Sequence, residues 1–196
     1  MNDKEVFESH PFAPFAPPDA RLLMLGTAPP PRARWSMEFY YPNLQNDMWR
    51  IFGLAFFGER DHFLEAGRFS QERIAAFLEE RGIALSDTGR LFVRHKGNAS
   101  DKFLEIVEPV DLRALLARMP SCRVLVTTGE LAAQTIAKIT DSAVPRTCQF
   151  VDFSFAGREL RHYRMPSSSR AYPRPLADKA ADYAAMFRRE GLLGNF

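Results

Sequence analysis

A chain of 196 residues, 46% hydrophobic and 26% charged, has the length and composition of one ordinary globular domain. No apolar run approaches the roughly 20 residues that cross a bilayer, and the polar start of the chain does not resemble a secretory signal. We therefore expect a cytoplasmic protein without a membrane segment. The net charge of +2 gives only weak support for a nucleic-acid partner.

Cysteine and histidine usage argues against a metal centre. Cys122 and Cys148 are the only cysteines, so the chain cannot supply the four thiolates of an iron–sulfur cluster. The four histidines are not spaced as zinc ligands. Cys122 opens an apolar run, which is typical of an inert buried thiol. The sequence predicts no metal and no cofactor, although a metal site made of carboxylates stays open.

The first part of the chain predicts an arm, a strand, a loop and a helix. Residues 1–20 are rich in proline and phenylalanine, which favours an extended arm held to the body by its phenylalanines. Arg21 to Leu25 predicts a buried strand that ends at Gly26. Residues 27–46 form a long loop, and Asp47 to Phe57 has the apolar spacing of a helix.

The rest of the chain alternates between helices and short strands. Helices are predicted after Ser70 through Arg81, from Asp111 to Arg118, from Glu130 to Thr140 and from Leu176 to Arg189. Strands are predicted at Ile83–Leu85 and Arg123–Thr127, with a hairpin of Gln149–Phe155 and Glu159–Met165, while residues 88–108 are interpreted as irregular. This alternation predicts an α/β fold, a three-layer α/β/α domain over residues 21–196 with a mainly parallel sheet.

The loop that follows the first strand carries candidate functional residues. Gly26 permits a sharp turn, and the prolines that follow stiffen it, although such turns are also common in ordinary loops. Tyr40 and Tyr41 lie further along the loop, where aromatic rings can stack on a nucleobase. Asn46 stands where the helix starts. It is either a helix cap or an amide that positions water or binds a base edge.

A second polar turn follows the last predicted strand. Pro166 to Ser169 offers three hydroxyls and accessible backbone N–H groups, which can bind phosphate oxygens, although serine triplets are also frequent in plain loops. Five arginines lie between Gly157 and Pro175, and we interpret them as phosphate contacts or as a solvated strand face. Because both polar turns follow strands, we expect them to meet over one edge of the sheet.

The common phosphate-binding and nucleophile motifs are missing from this sequence. It contains no Gly-x-Gly-x-x-Gly after the first strand and no Gly-x-x-x-x-Gly-Lys-Ser/Thr. It also lacks a Gly-x-Ser-x-Gly turn. These absences disfavour dehydrogenase, P-loop and α/β-hydrolase functions.

Segments in a fixed order resemble the motifs of the uracil-DNA glycosylase superfamily. Gly26 to Pro30 is similar to its Gly-x-Asn-Pro-Gly motif, and Tyr41 to Trp49 is similar to its aromatic–Pro–x–x–Asn–x–Phe–Trp run. Met165 to Ser169 resembles its Pro-Ser-Ser/Thr-Ser motif. A middle segment, from Leu85–Thr88 to Ala99–Asp101, is similar in placement. Within the superfamily, the chain most resembles the mismatch-specific and hypoxanthine-DNA glycosylase branches.

The resemblance implies a fold and an activity. The fold is α/β/α with a four-stranded, mainly parallel sheet. The activity is that of a monofunctional DNA glycosylase, which flips hypoxanthine or uracil out of a damaged or mismatched duplex in base-excision repair. It would hydrolyse the N-glycosidic bond without cutting the strand, because no motif contains a lysine. DNA is the implied partner, and we expect a monomer.

The resemblance also implies site residues. Backbone N–H groups near Thr27 and Ala28 would stabilise the departing base. Asn46 is the best match for the catalytic asparagine of the hypoxanthine branch. The implied base-binding residues are Gly26, Pro29, Tyr40, Tyr41, Asn43 and Asp87. The implied DNA-binding residues are Pro166, Ser167, Ser168, Ser169, Arg170 and Tyr172.

Two departures from the superfamily pattern keep alternatives open. Ala28 stands where several branches have a water-activating Asn or Asp, and Met165 stands where the uracil-specific branch has a histidine. Both departures favour a DNA-binding protein of this fold that has lost catalysis. A nucleoside hydrolase-like enzyme is the other alternative, although a free nucleoside offers few phosphates to the arginine-rich stretch.

Overall fold

The computed structural model describes residues 6–95 and 101–194. The strands, numbered in chain order, are β1 Phe7–Ser9, β2 Leu22–Gly26, β3 Leu64–Glu65, β4 Arg68–Phe69, β5 Ile83–Asp87, β6 Gly89–Arg94, β7 Leu104–Pro109, β8 Val124–Thr128, β9 Gln149–Phe155 and β10 Arg158–Met165. The helices are α1 Met48–Phe57, α2 Gln71–Arg81, α3 Leu112–Ala117, α4 Glu130–Thr140 and α5 Leu176–Arg189. None of these helices is long and apolar enough to cross a bilayer.

The main sheet has five strands in the order β5-β2-β8-β10-β9. The first four are parallel, and β9 runs antiparallel to β10 at one edge. Helices cover both faces, so the predicted three-layer α/β/α fold is confirmed. The sheet has one strand more than the four-stranded sheet that the resemblance implies, because the predicted hairpin adds β9 to the four parallel strands.

Side chains of β2 divide between two cores, one on each face of the sheet. Leu22 and Met24 pack with Trp49 and Phe52 of α1 and with residues of α2 and α5. Leu23 and Leu25 point the other way and pack against α3 and α4. Because a strand buried on both faces needs apolar residues at every position, β2 is an unbroken apolar run.

The start of α1 is anchored by its first aromatic residue. Trp49 is 1% exposed, and its Nε1 donates to the carbonyl of Tyr40 at 3.2 Å. Truncating such a buried indole costs about 3–5 kcal/mol of stability. This packing fixes where the helix begins and therefore where Asn46, just before it, is held.

Helix ends follow the expected capping chemistry. The Asp111 carboxylate accepts from the backbone N–H of Ala114 at 2.9 Å and caps α3. Gly82 ends α2 with φ +67°, a left-handed conformation that suits glycine. The predicted bounds of α4 and α5 agree with the structure, and α1, α3 and the hairpin agree to within one residue at each end.

The prediction of an irregular segment at residues 88–108 is wrong. Strands β6 and β7 form an antiparallel pair there, and β1 of the arm adds a third strand beside β6. In β7 the half-buried and exposed residues alternate strictly, but Val107 and Pro109 stand at exposed positions and Glu108 at a half-buried one, so the sequence shows no clear apolar–polar alternation. Residues 96–100, at the centre of the predicted loop, lie outside the described residues.

The N-terminal arm is extended, and it pairs with the body of the protein. Phe15 exchanges two backbone hydrogen bonds with Leu85 of β5, at 3.0 and 2.8 Å. Phe12 and Phe15 pack against the larger core, as the sequence predicts, whereas Phe7 is exposed. Residues 1–5 and 195–196 lie outside the described residues.

Candidate functional site

All four parallel strands end at the same edge of the sheet. Gly26 of β2 is paired in register with Asp87 of β5, and Thr128 of β8 with Met165 of β10. A cavity of about 260 Å³ lies beyond this edge. This is the position where open α/β sheets bind ligands, and the volume suits one small flat molecule.

Both predicted loops line this cavity. Its walls comprise residues 26–30, part of 41–46, and 167–171. Asn46 and Ser169 form an antiparallel bridge, and the backbone N–H of Asp47 donates to the carbonyl of Ser168 at 2.9 Å. The two loops are therefore hydrogen-bonded to each other, although they lie more than 100 residues apart in the chain.

A charge cluster with a buried aspartate and lysine and a partly exposed arginine fastens the two loops together. Arg170 Nε donates to Asp47 Oδ1 at 3.0 Å, and Lys179 Nζ lies 3.4 Å from Asp47 Oδ2. Lys179 Nζ also donates to the carbonyl of Ser169 at 2.8 Å. Lys179 is 1% exposed and Asp47 5% exposed. We call these three charged side chains the Asp47 cluster. Sequence reasoning missed Asp47 and Lys179 because their contact joins α5 to the start of α1.

Asn46 lies at the cavity and also caps the helix. Its Oδ1 accepts from the backbone N–H of Met48 at 2.9 Å. Because a backbone N–H can only donate, the atom that faces it is the amide oxygen, and Nδ2 is the group left for the cavity. Both sequence interpretations of Asn46 are therefore compatible with one side-chain position.

The two neighbouring tyrosines have different surroundings. Tyr41 lines the cavity with φ +50°, and its hydroxyl lies 3.2 Å from Thr128 Oγ1. Burial raises the pKa of Tyr41, and the charge of Asp87 adds to that rise, so the hydroxyl stays protonated. Tyr40 is 2% exposed and donates to the carbonyl of Ala13, outside the cavity lining.

Gly26 brings the main chain of β2 close to a carboxylate. A Cβ at this position would lie 2.4 Å from Asp87 Oδ1 and 3.3 Å from the Tyr41 hydroxyl. Only a residue without a side chain permits this approach. The absent side chain therefore leaves Asp87 Oδ1 at the cavity wall.

Asp87 is held from behind by the arm. His10 Nε2 lies 2.8 Å from Asp87 Oδ2, and the two side chains are 8% and 7% exposed. Burial lowers the pKa of His10, but the hydrogen bond and the charge of Asp87 outweigh it, so that the net shift is upward. Sequence reasoning missed His10, because it lies 77 residues from its partner in a segment interpreted only as an arm.

A second carboxylate lies on the same wall. Asp101 accepts from Thr27 Oγ1 at 3.0 Å and lines the cavity. Burial raises the pKa of Asp101, the hydrogen bond from Thr27 opposes this shift, and the charge of Asp87 adds to it. The sequence placed Asp101 in the middle segment of the resemblance without a role. The other lining residues that it did not name as site residues are Pro30, Arg34, Pro42, Gln45, Thr128 and Ala171.

The remaining predicted residues divide between the cavity and its surroundings. Thr27, Ala28, Pro29 and Asn43 line the cavity. Pro166 and Tyr172 lie outside its lining, and the Pro166 carbonyl accepts from the Tyr183 hydroxyl at 2.9 Å.

The second loop is shaped by its own hydroxyls. Ser167 Oγ accepts from the backbone N–H of Ser169, and Ser169 Oγ accepts from that of Ala171, both at 3.2 Å. These hydrogen bonds, each between residues two positions apart, hold the turn in one conformation. Because Ser167, Ser168 and Ser169 all line the cavity, the turn could present hydroxyl and amide groups to phosphate oxygens there.

The arginine-rich stretch does not form one basic surface. Among its five arginines only Arg170 lines the cavity, and the other four contact groups elsewhere in the protein. The four contacts are Arg158 with the Met119 carbonyl, Arg161 with Asp152 and Glu190, Arg164 with Glu130, and Arg174 with Asp182. Among the described residues, the cations that line the cavity are therefore Arg170 and Arg34.

The cavity offers hydrogen-bonding groups of both kinds and no recognisable metal site. Within residues 6–95 and 101–194, no three His, Cys, Asp or Glu side chains cluster as metal ligands. Acceptors are the carboxylates of Asp87 and Asp101, and donors include Asn46 and the hydroxyls of Tyr41 and Thr128. Such a wall can bind a planar polar ring and its flanking anionic groups.

Comparison with known proteins identifies a shared fold. No family model and no curated protein matches this sequence. A similar solved structure is the solution NMR structure of a Methanosarcina acetivorans protein that is proposed to be a uracil DNA glycosylase. The two chains are 20% identical with a TM-score of 0.64, and the match covers 94% of this chain and 98% of that chain.

Proposed function

We propose that this protein is a monofunctional DNA glycosylase that removes a deaminated base, hypoxanthine or uracil, from a damaged or mismatched duplex. One observation carries the proposal: the two loops that resemble the superfamily motifs are hydrogen-bonded to each other and line one cavity at the carboxyl edge of the sheet. The similarity in fold to a proposed uracil DNA glycosylase supports it independently.

The cavity suits a nucleotide that has left the duplex. Flipping costs a few kcal/mol and is easiest at mismatched or deaminated bases. The base would enter between Tyr41 and the wall formed by Asp87, where ring stacking contributes about 1–3 kcal/mol. The serine turn and Arg170, which line the same cavity, would hold the flanking phosphates.

The reaction is hydrolysis of the bond between C1′ and the base nitrogen. As this bond breaks, its electron pair goes to the base and the sugar becomes oxocarbenium-like. The backbone N–H groups near Thr27 and Ala28 would stabilise the charge that grows on the base. Asn46 Nδ2 would position the water whose oxygen bonds to C1′ and whose proton leaves to solvent.

A base-release assay tests the proposal. Duplexes carrying hypoxanthine, uracil, xanthine or a G·T mismatch are incubated with the protein and treated with alkali, which cuts at abasic sites. We expect cleavage at hypoxanthine or uracil only after alkali, because no strand-cutting step is proposed. Release of no base over a long incubation, with retained binding to abasic or mismatched DNA, would instead select the inactive DNA-binding alternative.

Two variants of Asn46 separate its catalytic role from its capping role. Asn46→Ala removes both the cap and the amide donor, whereas Asn46→Asp keeps an oxygen for the Met48 N–H and loses Nδ2. We expect both variants to release base at least about 10-fold more slowly, within the range typical of one positioned group. We expect only Asn46→Ala to lower stability, by about 1 kcal/mol. Full activity of Asn46→Ala would remove Asn46 from the mechanism.

Activity on free inosine without activity on DNA would select the nucleoside hydrolase alternative. The assay therefore includes inosine and uridine as free substrates. The serine turn and Arg170 face the same cavity as the proposed base site, which favours a ligand with phosphates and hence DNA.

A further inference from the structure

The N-terminal arm contributes a side chain that the proposed reaction does not use. His10 lies directly before Pro11 in the extended arm, yet its ring reaches Asp87 at the carboxyl end of β5. The ring also stacks on Tyr40, with centroids 5.8 Å apart and planes 25° apart. Both members of the pair are almost fully buried, so the contact has one defined geometry.

The proton on His10 that faces Asp87 can be assigned from its neighbours. The nitrogen Nδ1 lies 3.2 Å from the N–H of Phe12 and 3.0 Å from the carbonyl of the same residue. A neutral ring that accepts from that N–H carries its proton on Nε2, and a protonated ring carries one on both nitrogens. The other neutral form, with its proton on Nδ1 toward the Phe12 carbonyl, would set the Nε2 lone pair against the carboxylate, so we assign a proton to Nε2, which donates to Asp87 Oδ2.

This hydrogen bond uses Oδ2 of Asp87 and leaves Oδ1 available to a ligand. Asp87 Oδ1 lies beside Gly26 at the cavity wall, and the described residues supply no hydrogen bond to it. Since a carboxylate is an acceptor only, a ligand ring that meets Oδ1 must offer a donor. A bare ring nitrogen would place its lone pair against the negative oxygen.

Deamination changes the polarity of a nucleobase at the ring nitrogen. Adenine and cytosine have an unprotonated ring nitrogen beside the amino group, whereas hypoxanthine, xanthine and uracil have a ring N–H beside a carbonyl. An acceptor fixed at the cavity wall therefore distinguishes the deaminated base from its parent. Guanine and thymine also carry a ring N–H, but in intact pairs the cost of flipping keeps them out.

We propose that His10 is a positioning residue that holds Asp87 with one oxygen facing the cavity, and thereby makes the site selective for bases with a ring N–H. This inference rests on the proposed function, since it names the class of base that the same cavity takes. His10 acts through Asp87 and touches no substrate. The arm is then part of the specificity of the site.

Exchanging the polarity of Asp87 gives the sharpest test. In Asp87→Asn the His10 Nε2–H still requires an acceptor, so the amide oxygen turns toward His10 and the NH2 group toward the cavity. The cavity wall then presents a hydrogen-bond donor to the base in place of an acceptor. We expect wild type to prefer hypoxanthine over adenine by about 100-fold, because a missing hydrogen-bond partner in a closed site is strongly disfavoured. We expect Asp87→Asn to reduce or invert that ratio.

The assay keeps the cost of flipping equal for all bases. Each base is placed opposite an abasic-site analogue, so that no pairing energy differs between them. Release rates are measured together with binding to the same oligonucleotides carrying 2′-fluoro sugars, which resist cleavage. Because binding is read separately, selectivity is measured even in a protein that does not cleave.

Substitutions of His10 show whether it sets the orientation of the side chain at position 87. His10→Gln keeps an N–H donor and should retain most of the hypoxanthine preference, whereas His10→Leu loses the donor and should lower it about 10-fold or more. In His10→Leu/Asp87→Asn, the amide is free to turn either way, and the inverted preference should disappear. Glu105→Gln is a matched control, because Glu105 pairs with His95 at 3.0 Å on an exposed surface outside the cavity lining.

The outcomes separate this inference from the proposed function. Absence of release with a ring N–H preference in binding overturns the glycosylase activity and supports the role of His10. Release of hypoxanthine with a ratio unchanged in Asp87→Asn supports the activity and overturns the inference. A His10→Leu protein that melts like wild type but keeps the full preference also overturns it.

Discussion

Asp47 and Asp87 are both buried aspartates, and they are used differently: Asp87 lines the cavity, whereas Asp47 lies outside its lining, next to Asn46. Asp47 has one cation on each oxygen, Arg170 on Oδ1 and Lys179 on Oδ2. Asp87 has one partner, His10 on Oδ2, and its Oδ1 faces Gly26 at the cavity wall. The first carboxylate is fully occupied within the protein, whereas the second keeps one acceptor for a ligand.

This difference separates a carboxylate that joins two parts of the protein from one that can recognise a ligand. A carboxylate that meets one cation on each oxygen, here the buried Lys179 and the more exposed Arg170, fixes two loops relative to each other and offers no free acceptor to a ligand. A carboxylate fixed by one oxygen keeps a defined direction for the other. Substitutions at the first should therefore lower stability, and substitutions at the second should change substrate binding with a smaller effect on folding.

The largest expected effect comes from breaking the Asp47 cluster. Asp47→Asn leaves the buried Lys179 without a counter-charge, and loss of one partner of a buried pair costs about 3–5 kcal/mol. Urea unfolding measures the loss, and Asp47→Asn/Lys179→Met should recover part of it. The control is Glu38→Gln, because that carboxylate pairs with Arg32 at 2.6 Å and both side chains are exposed, so it should cost under about 1 kcal/mol. Equal losses in Asp47→Asn and Glu38→Gln would contradict the structural role.

A smaller effect, on activity, is expected at Gly26. Gly26→Ala introduces a Cβ that would lie 2.4 Å from Asp87 Oδ1, so the carboxylate must move from the cavity wall. Since a displacement of about 1 Å can cost up to 100-fold, we expect base release to fall at least 10-fold in single-turnover kinetics. Gly194→Ala is the control, because no atom lies within 4 Å of its Cβ position. Unchanged release in Gly26→Ala would show that the position of Asp87 is unimportant.

The smallest expected effect is on the pH dependence of stability. The pKa of His10 is raised in the folded protein, so its protonation stabilises the fold below the unfolded value of about 6.5. That contribution is lost as the pH rises through the folded pKa. In thermal melts, we expect the free energy of unfolding of wild type to exceed that of His10→Gln by about 1 kcal/mol near pH 6. The difference should be smaller toward pH 8.5. A difference that grows with pH would contradict this sign.

The fold was largely predictable because most elements carry their own local signals. Helix α4 follows Gly129, and α5 follows Pro175. The hairpin turns at Ala156–Gly157, between two long runs that mix apolar and polar residues. Strands β6 and β7 were missed because they pair with each other and β6 with the arm, outside the main sheet, and because β7 exposes every second residue. Alternation over so few residues does not distinguish a half-buried strand from a polar loop.

The candidate site was predictable only where it is local in sequence. The two loops follow strands and carry recognisable residue patterns, so their meeting could be expected from the topology of a parallel sheet. Lys179, His10 and Asp101 reach their partners across 74 to 132 residues. No periodicity in the chain encodes such contacts, because they depend on how the finished layers pack.

The pairing of Phe15 with Leu85 has a consequence for solubility. Strand β5 is at the edge of the main sheet, and unpaired backbone groups at such an edge are a template for pairing with another molecule. Phe15 satisfies one N–H and one carbonyl there, and the prolines around it cannot extend a ladder outward. The arm therefore protects the protein against intermolecular β-association, and a version lacking residues 6–20 should aggregate at concentrations where the full chain stays dispersed.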